Sequence, residues 1–372
     1  MASSLGTKLR IAASVLLAPG FFDALAGRLL FQRGAGNDQA AASAPPPEWQ
    51  DLAGALHVHS TYSDGAGDVP TVMDAAREAG VDFVLLTDHN TQRPLRDGWE
   101  DRYRGKPLLL IGTEVTVEHG AFLLALDMPR DWEPTKHRPP QEAVDEVNRH
   151  GGLPLVSLPF DVKHPWRDWD VRGAAGLEVI NLSTIARRHI NLLSLAWLLP
   201  LYRWRGAAAV LRALVTRPDR ELALWDRLTR GGGRPCVGIG ALDAHALMKI
   251  GKTKHPLPSY ADSFRAATTH VLVPAAAAAA GGQTARRAVY DALRAGRCYF
   301  AYDCLGDPKG FSFAARCGGG GSAARIPMGG CVSAAAGPVE LEARLDAPAG
   351  AALPALARAL AGTDGADARR PG

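Results

Sequence analysis

The stretch from Leu56 to Asn90, LHVHSTYSDG…VLLTDHN, constrains this chain more than any other. It opens on an apolar–His–apolar–His strand end and turns at Ser63-Asp64-Gly65. The pattern predicts a helix over Val69 to Ala79 and a second strand over Phe83 to Leu86, which runs into Thr87-Asp88-His89-Asn90. Strand, loop, helix and strand in that order make a parallel β/α unit. Such units collect ligands at the carboxyl ends of their strands. Both His/Asp clusters fall where a strand should stop.

Metal binding is the chemistry these residue types support. His57 and His59 are two apart, and strand side chains two apart share a face. Asp64 and His89 add an oxygen and a nitrogen donor. Imidazole and carboxylate without thiolate suit Zn, Mn or Fe better than Ca. A lone HxH is as often a plain surface pair; HxH, SDG and TDHN at successive strand ends are far more specific. Further along, the apolar run Gly105 to Gly112 delivers Glu114, placed to enter the face of His57 and His59. Cys236 to Ile239 reads as a last strand, ending in Asp243 and His245. Asp88 either orients a neighbouring ligand or caps the next turn, and the sequence does not choose. Asn90 is a substrate candidate or a turn residue. Lys163, Arg167, Arg187 and Arg188 are cations that could meet an anionic substrate, although most charged side chains simply face solvent.

These motifs resemble those of the PHP (polymerase and histidinol phosphatase) family of metal-dependent hydrolases. The resemblance continues in Gly112-Thr113-Glu114-Val115-Thr116, Glu118-His119-Gly120 and Leu242-Asp243-Ala244-His245, in family order. The run Ala292 to Tyr299 is similar to a branch that includes carbamate and aryl-ester hydrolases. The resemblance implies a distorted (β/α)7-type barrel and two or three divalent ions. His57, His59, Glu114 and Asp243 would hold one ion, Asp64, His89 and His245 another, and Glu114 with His119 would help hold a third. It makes Glu114 a bridging ligand and places His57, Glu114 and Asp243 at the catalytic centre. One family position departs: Leu158 stands where the pattern expects histidine. Leucine cannot ligate a metal, so the third ion is either lost or held by a substitute such as Asp161 or His164.

The implied reaction is hydrolysis of a small-molecule phosphoester, or of a carbamate or carboxylic ester, by metal-bound hydroxide. Two rivals stand beside it: a TIM-barrel amidohydrolase, which also opens on HxH, and a non-catalytic metal-stabilised binding module. No Gly-x-Ser-x-Gly elbow, Walker A loop or dinucleotide fingerprint offers another chemistry.

The chain of 372 residues has room for one large domain and an appendage. A net charge of +4, with no basic run interleaved with aromatics, gives no reason to expect nucleic acid. Five dispersed cysteines without CxxC argue against a disulfide framework or a thiolate zinc site, and leave open a local pairing among the four after Ala295. Residues 1–48 combine a signal-like or anchor segment (Lys8, Arg10, then Ile11 to Phe22) with a flexible linker. That segment would place the protein outside the cytoplasm or on a membrane; as a mobile extension it would leave it cytoplasmic. Residues 49–296 form the expected barrel, interrupted at 185–216 by an apolar, basic helical pair divided at Pro200. That pair either covers the barrel's outside or serves as a lid or membrane-facing element. Residues 297–345 predict a small β-rich domain, and 346–372 a disordered tail. Metal identity, substrate and oligomeric state are not encoded in any recognisable motif.

Overall fold

The computed structural model describes residues 48–231, 236–250, 253–255, 257–317, 324–332 and 339–344. The signal-like segment, the linker before Glu48 and the tail after Asp346 lie outside the described residues, as does the Cys317 side chain. Cys236, Cys298, Cys304 and Cys331 are unpaired.

The first half of the fold follows from runs of apolar residues. β1 (Trp49–Val58) leads through the metal-motif loop to α1 (Val69–Ala79) and then to β2 (Phe83–Leu86). Asp68 caps α1 by accepting the Thr71 amide at 2.9 Å, and Gly80 ends it at φ 78°. Val69, Val72, Met73 and Ala76 recur at helical spacing and are buried. Two short helices, α2 (Arg93–Arg96) and α3 (Trp99–Arg102), precede β3 (Leu108–Ile111) and β4 (Thr113–Thr116). β2 and β3 are buried on both faces, as strands of parallel sheets are. Phe83 and Leu85 face one core, Val84 and Leu86 another.

The second half continues with β5 (Phe122–Leu126), α4 (Pro140–Arg149), β6 (Leu153–Ser157) and β7 (Gly176–Asn181). Then come α5 (Leu182–His189), α6 (Leu192–Leu214), α7 (Asp219–Gly231) and β8 (Val237–Ala241). A small hairpin, β9 (Met248–Ile250) with β10 (Thr253–His255), and the short α8 (Tyr260–Phe264) follow β8. β11 (Thr268–Pro274), α9 (Ala275–Ala280), α10 (Gly282–Arg294) and β12 (Cys298–Ala301) complete the main body.

The strands form two five-stranded sheets, ordered β12-β11-β1-β2-β3 and β4-β5-β6-β7-β8. The fold is mixed α/β. Antiparallel pairings of β11 with β1 and of β5 with both neighbours interrupt simple β/α alternation, and no closed barrel is seen among the described residues. One apolar core joins the sheets: Leu56, Phe83, Leu85 and Leu110 from the first meet Leu124, Leu155 and Ile239 from the second.

Among the described residues, backbone hydrogen bonds join the strand ends of the two sheets at two places, and these build the site. At one, the amide of Gly112 donates to Leu86 O at 2.8 Å and that of Asn90 to Glu114 O at 2.9 Å. At the other, the amides of Leu242 and Ala244 donate to Leu56 O and His57 O, and His59 N donates back to Ala244 O at 2.9 Å. Every metal-motif residue except His119 lies at one of these junctions or in the loop between them.

Two expectations are corrected here. The helical segment breaks at Gly206 (φ 77°, ψ −178°), a conformation only glycine adopts readily, while Pro200 is carried within α6. The strand around Cys298 is an edge of the first sheet, paired with β11, rather than part of the β-rich appendage. Three strands beyond it, β13 (Ser312–Cys317), β14 (Ala324–Pro327) and β15 (Val339–Arg344), form a separate antiparallel sheet.

Candidate metal centre

His57 does not reach the site by plain strand alternation. The β1–β2 register shifts between Leu56 and Val58, and His57 itself has φ 62°. A bulge of this kind re-aims a side chain. The result matches the sequence expectation by a different route: the rings of His57 and His59 lie 5.0 Å apart. Asp243 at φ 50° is held in the same left-handed region. Such conformations cost on the order of 1–3 kcal/mol each and cluster at functional sites.

The side chains converge. His57 Nε2 lies 3.3 Å from Glu114 Oε2 and 3.6 Å from Asp243 Oδ1. His59 Nε2 lies 3.4 Å from the same two oxygens. His89 Nδ1 is 3.1 Å from Glu114 Oε2, and His245 Nε2 is 3.0 Å from Asp64 Oδ1. Two groups have donor atoms within 4.8 Å of one another: His57, His59 and Asp243; and His59, Asp64, His89 and His245. Glu114 Oε2 faces members of both.

The chemistry of the donor set fits a cation. His57 Nε2 and His59 Nε2 are buried without a hydrogen-bond partner. Buried polar atoms are rarely left so, because desolvation is costly. Burial and repulsion from His245 hold the pKa of His59 below the usual imidazole range, so it stays neutral, the form that ligates. Burial also disfavours charge on His57, but the carboxylates of Glu114 and Glu178 outweigh it and raise its pKa well above that range. Burial opposes charge on His245 too; its hydrogen bond to Asp64, with the charges of Asp243 and Asp64, raises it to about 9. Glu114 and Asp243 remain ionised despite burial, held low by the surrounding imidazoles.

Sequence reasoning missed Glu178. It accepts His57 Nδ1–H at 2.5 Å, and its other oxygen accepts the Leu158 amide and Asn181 Nδ2, each at 2.9 Å. This fixes the tautomer of His57 and leaves Nε2 free for a ligand. A single carboxylate inside the apolar strand GLEVIN was the available signal, since buried charges are paired or ligating. Tyr260 was missed as well. Its hydroxyl donates to His59 O at 2.8 Å and accepts the Gly67 amide at 3.2 Å, bracing the loop that carries Asp64.

Other expectations fall differently. Asp88 accepts from Ser60 N, Ser60 Oγ and Ser63 Oγ at 2.6–2.8 Å, so it clamps the loop after β1 rather than orienting His89. Both amide atoms of Asn90 are engaged with Thr116, which makes it a structural bridge. His119 sits in a turn with its side chain 61% exposed, 4.0 Å from Glu118, and joins neither group. Asp161 is buried but already bound by Arg187 at 2.6 Å. His164 Nδ1 lies 3.1 Å from Gly120 O, with its ring against Phe122, which also borders His89. Lys163 and Arg167 are exposed, and Arg188 pairs with Glu221. Arg187 is the one of these cations that reaches the centre: it also donates to Asp243 Oδ2 at 2.9 Å.

Comparison with known proteins agrees with the motifs. A family model described as a PHP domain matches residues 55–185, taking in His57, His59, Asp64, His89 and Glu114 and ending before Asp243. An uncharacterized protein of Methanocaldococcus jannaschii is 26% identical over 122 residues, which cover 28% of this chain and 66% of that one. The chain thus spans just under two thirds of that relative's length. A two-domain protein of Bacteroides vulgatus, described as containing a predicted PHP-like metal-dependent phosphoesterase, is 17% identical with a TM-score of 0.40, over 68% of this chain and 66% of that one. PsfC of Pseudomonas syringae is 12% identical with a TM-score of 0.45, over 68% of this chain and 91% of its own.

Proposed function

We propose that this chain is a metal-dependent phosphoesterase of the PHP type whose centre holds two divalent cations. One observation carries the reading: the buried, unpartnered Nε2 atoms of His57 and His59 aim at the same two carboxylate oxygens, of Glu114 and Asp243. In this reading His57, His59 and Asp243 would hold one ion, and Asp64, His89 and His245, with His59 beside them, would hold the other. Glu114, whose Oε2 faces members of both groups, would contribute to either. The PHP domain match over residues 55–185 supports it. So does the absence of thiolate from both groups, which favours Zn, Mn or Fe. The contacts that join the two sheets support a barrel-like arrangement related to the (β/α)7 form.

When bound, such ions supply Lewis acidity and lower the pKa of a coordinated water toward neutrality. The chain's own residues do the rest. Glu178 keeps the His57 proton on Nδ1, so Nε2 faces the ion. Tyr260 and Asp88 hold the loop of His59 and Asp64. Arg187, paired with both Asp161 and Asp243, fixes the Asp243 carboxylate and offsets part of the negative charge at the edge of the centre. Bound cations would favour a substrate carrying an anionic group near the scissile bond, and so a phosphoester over a neutral carbamate. A third ion has no place in this reading: Leu158 is apolar, His119 points outward, and Asp161 is bound by Arg187.

Purified protein supplied with Mn, Zn or Fe is expected to hydrolyse phosphomonoesters or phosphodiesters faster than aryl carbamates or carboxylic esters. His57→Ala and Asp243→Ala are each expected to lower that rate at least a hundredfold. Rates untouched by both substitutions would refute the assignment of the centre. Bound metal with no turnover on any ester would favour the binding-module reading.

A further inference from the structure

The outward side of the first half of α6 is apolar where a surface helix is ordinarily polar. Leu193, Ala196, Leu199, Pro200, Arg203 and Trp204 are all exposed and fall on one side at the helical repeat. Leu193 is 59% exposed, Leu199 54% and Trp204 81%. On the opposite side Ser194 and Leu198 are buried, Leu198 in the core that α1 shares. The helix breaks at Gly206, directly beyond Trp204, so the apolar stripe ends where the exposed run Tyr202-Arg203-Trp204-Arg205 does.

Charge identifies the partner. The chain carries no aspartate or glutamate between Glu178 and Asp219, while Arg203 stands beside the exposed indole on the same outward side. An amphipathic ring next to an arginine suits the boundary between lipid headgroups and acyl chains: the ring lies at the boundary and the Arg203 guanidinium reaches phosphates. A second copy of this chain fits poorly, because a two-fold contact would set the same arginines against each other. Among the described residues no helix is long and apolar enough to cross a membrane. We propose that this face of α6 lies in the plane of an anionic lipid bilayer and docks the protein on its surface. The inference is independent of the reaction at the metal centre.

Full-length protein can be sedimented with vesicles of phosphatidylcholine alone or of phosphatidylcholine mixed with phosphatidylglycerol. Binding is expected to the mixed vesicles, to weaken with added salt, and to fall about tenfold or more in the double variant Leu199→Ser, Trp204→Ser. Arg203→Glu is expected to weaken it as well. An unchanged circular dichroism spectrum and melting temperature show that the variants are folded, since these side chains are exposed in the free protein. Three results overturn the proposal. One is a double variant that binds as the wild type does, which puts attachment elsewhere, such as at Ile11 to Phe22. Another is equal binding to neutral and anionic vesicles. The third is a protein dimeric without vesicles and monomeric as the double variant, which assigns the face to a second copy.

Discussion

At the scale of single residues, the centre rests on groups that fix one another's protonation. Glu178 accepts from His57 Nδ1 at 2.5 Å. Glu178→Gln places an amide there that can donate to Nδ1 instead, which favours the tautomer with its proton on Nε2. The substitution is expected to weaken metal affinity by about tenfold to a hundredfold while the protein stays folded. Competition against a chelator measures this; an affinity equal to wild type would mean that His57 is not a ligand. The pH dependence has a definite sign. In the metal-free protein His245 is raised to about 9 and keeps its proton at neutral pH. A cation must displace that proton, so apparent affinity should rise with pH through neutrality toward about 9 and fall in acid. Titration calorimetry in buffers of different ionisation heat should show proton release, and heats independent of the buffer would contradict it. The ligand candidates were legible in the sequence because HxH, SDG and TDHN are local patterns. Glu178 was not, since it meets His57 only through the pairing of distant strands.

At the scale of elements, what the sequence could carry was periodicity. The helix over Val69 to Ala79 and the strand over Phe83 to Leu86 are found at those residues, because cap, apolar spacing and terminal glycine agree. The separate β4 was hidden, since Gly105 to Gly112 reads as a single strand that delivers Glu114. Pro200 was a reasonable breaker that did not break the helix, whereas Gly206 gave no periodic warning. Close strand approach adds a further test. A Cβ on Gly176 would lie 2.0 Å from Val237 O, in backbone that pairs β7 with β8. Gly176→Ala should therefore destabilise the protein by about 1–3 kcal/mol, as overpacking does. It should also move Glu178 and loosen metal binding. Urea melts give the first effect and chelator competition the second; a variant as stable as wild type would show that the sheet yields there at little cost.

At the scale of the whole molecule, two sheets with a common core bring together side chains as distant in sequence as His57 and His245. The sequence supported the α/β class and the convergence at strand ends. It could not show that β11 would pair antiparallel with β1, or that β12 would join the main sheet. Strand partners depend on tertiary packing rather than on any local pattern. The direct test of the two-ion centre is an anomalous-difference map from crystals grown with manganese or zinc. Two peaks are predicted: one within about 2.0–2.3 Å of His57 Nε2 and His59 Nε2, the other bound by His89 and His245, with a Glu114 oxygen between them. Ions bound elsewhere, or an empty map between His57 and His245 at saturating metal, would contradict it.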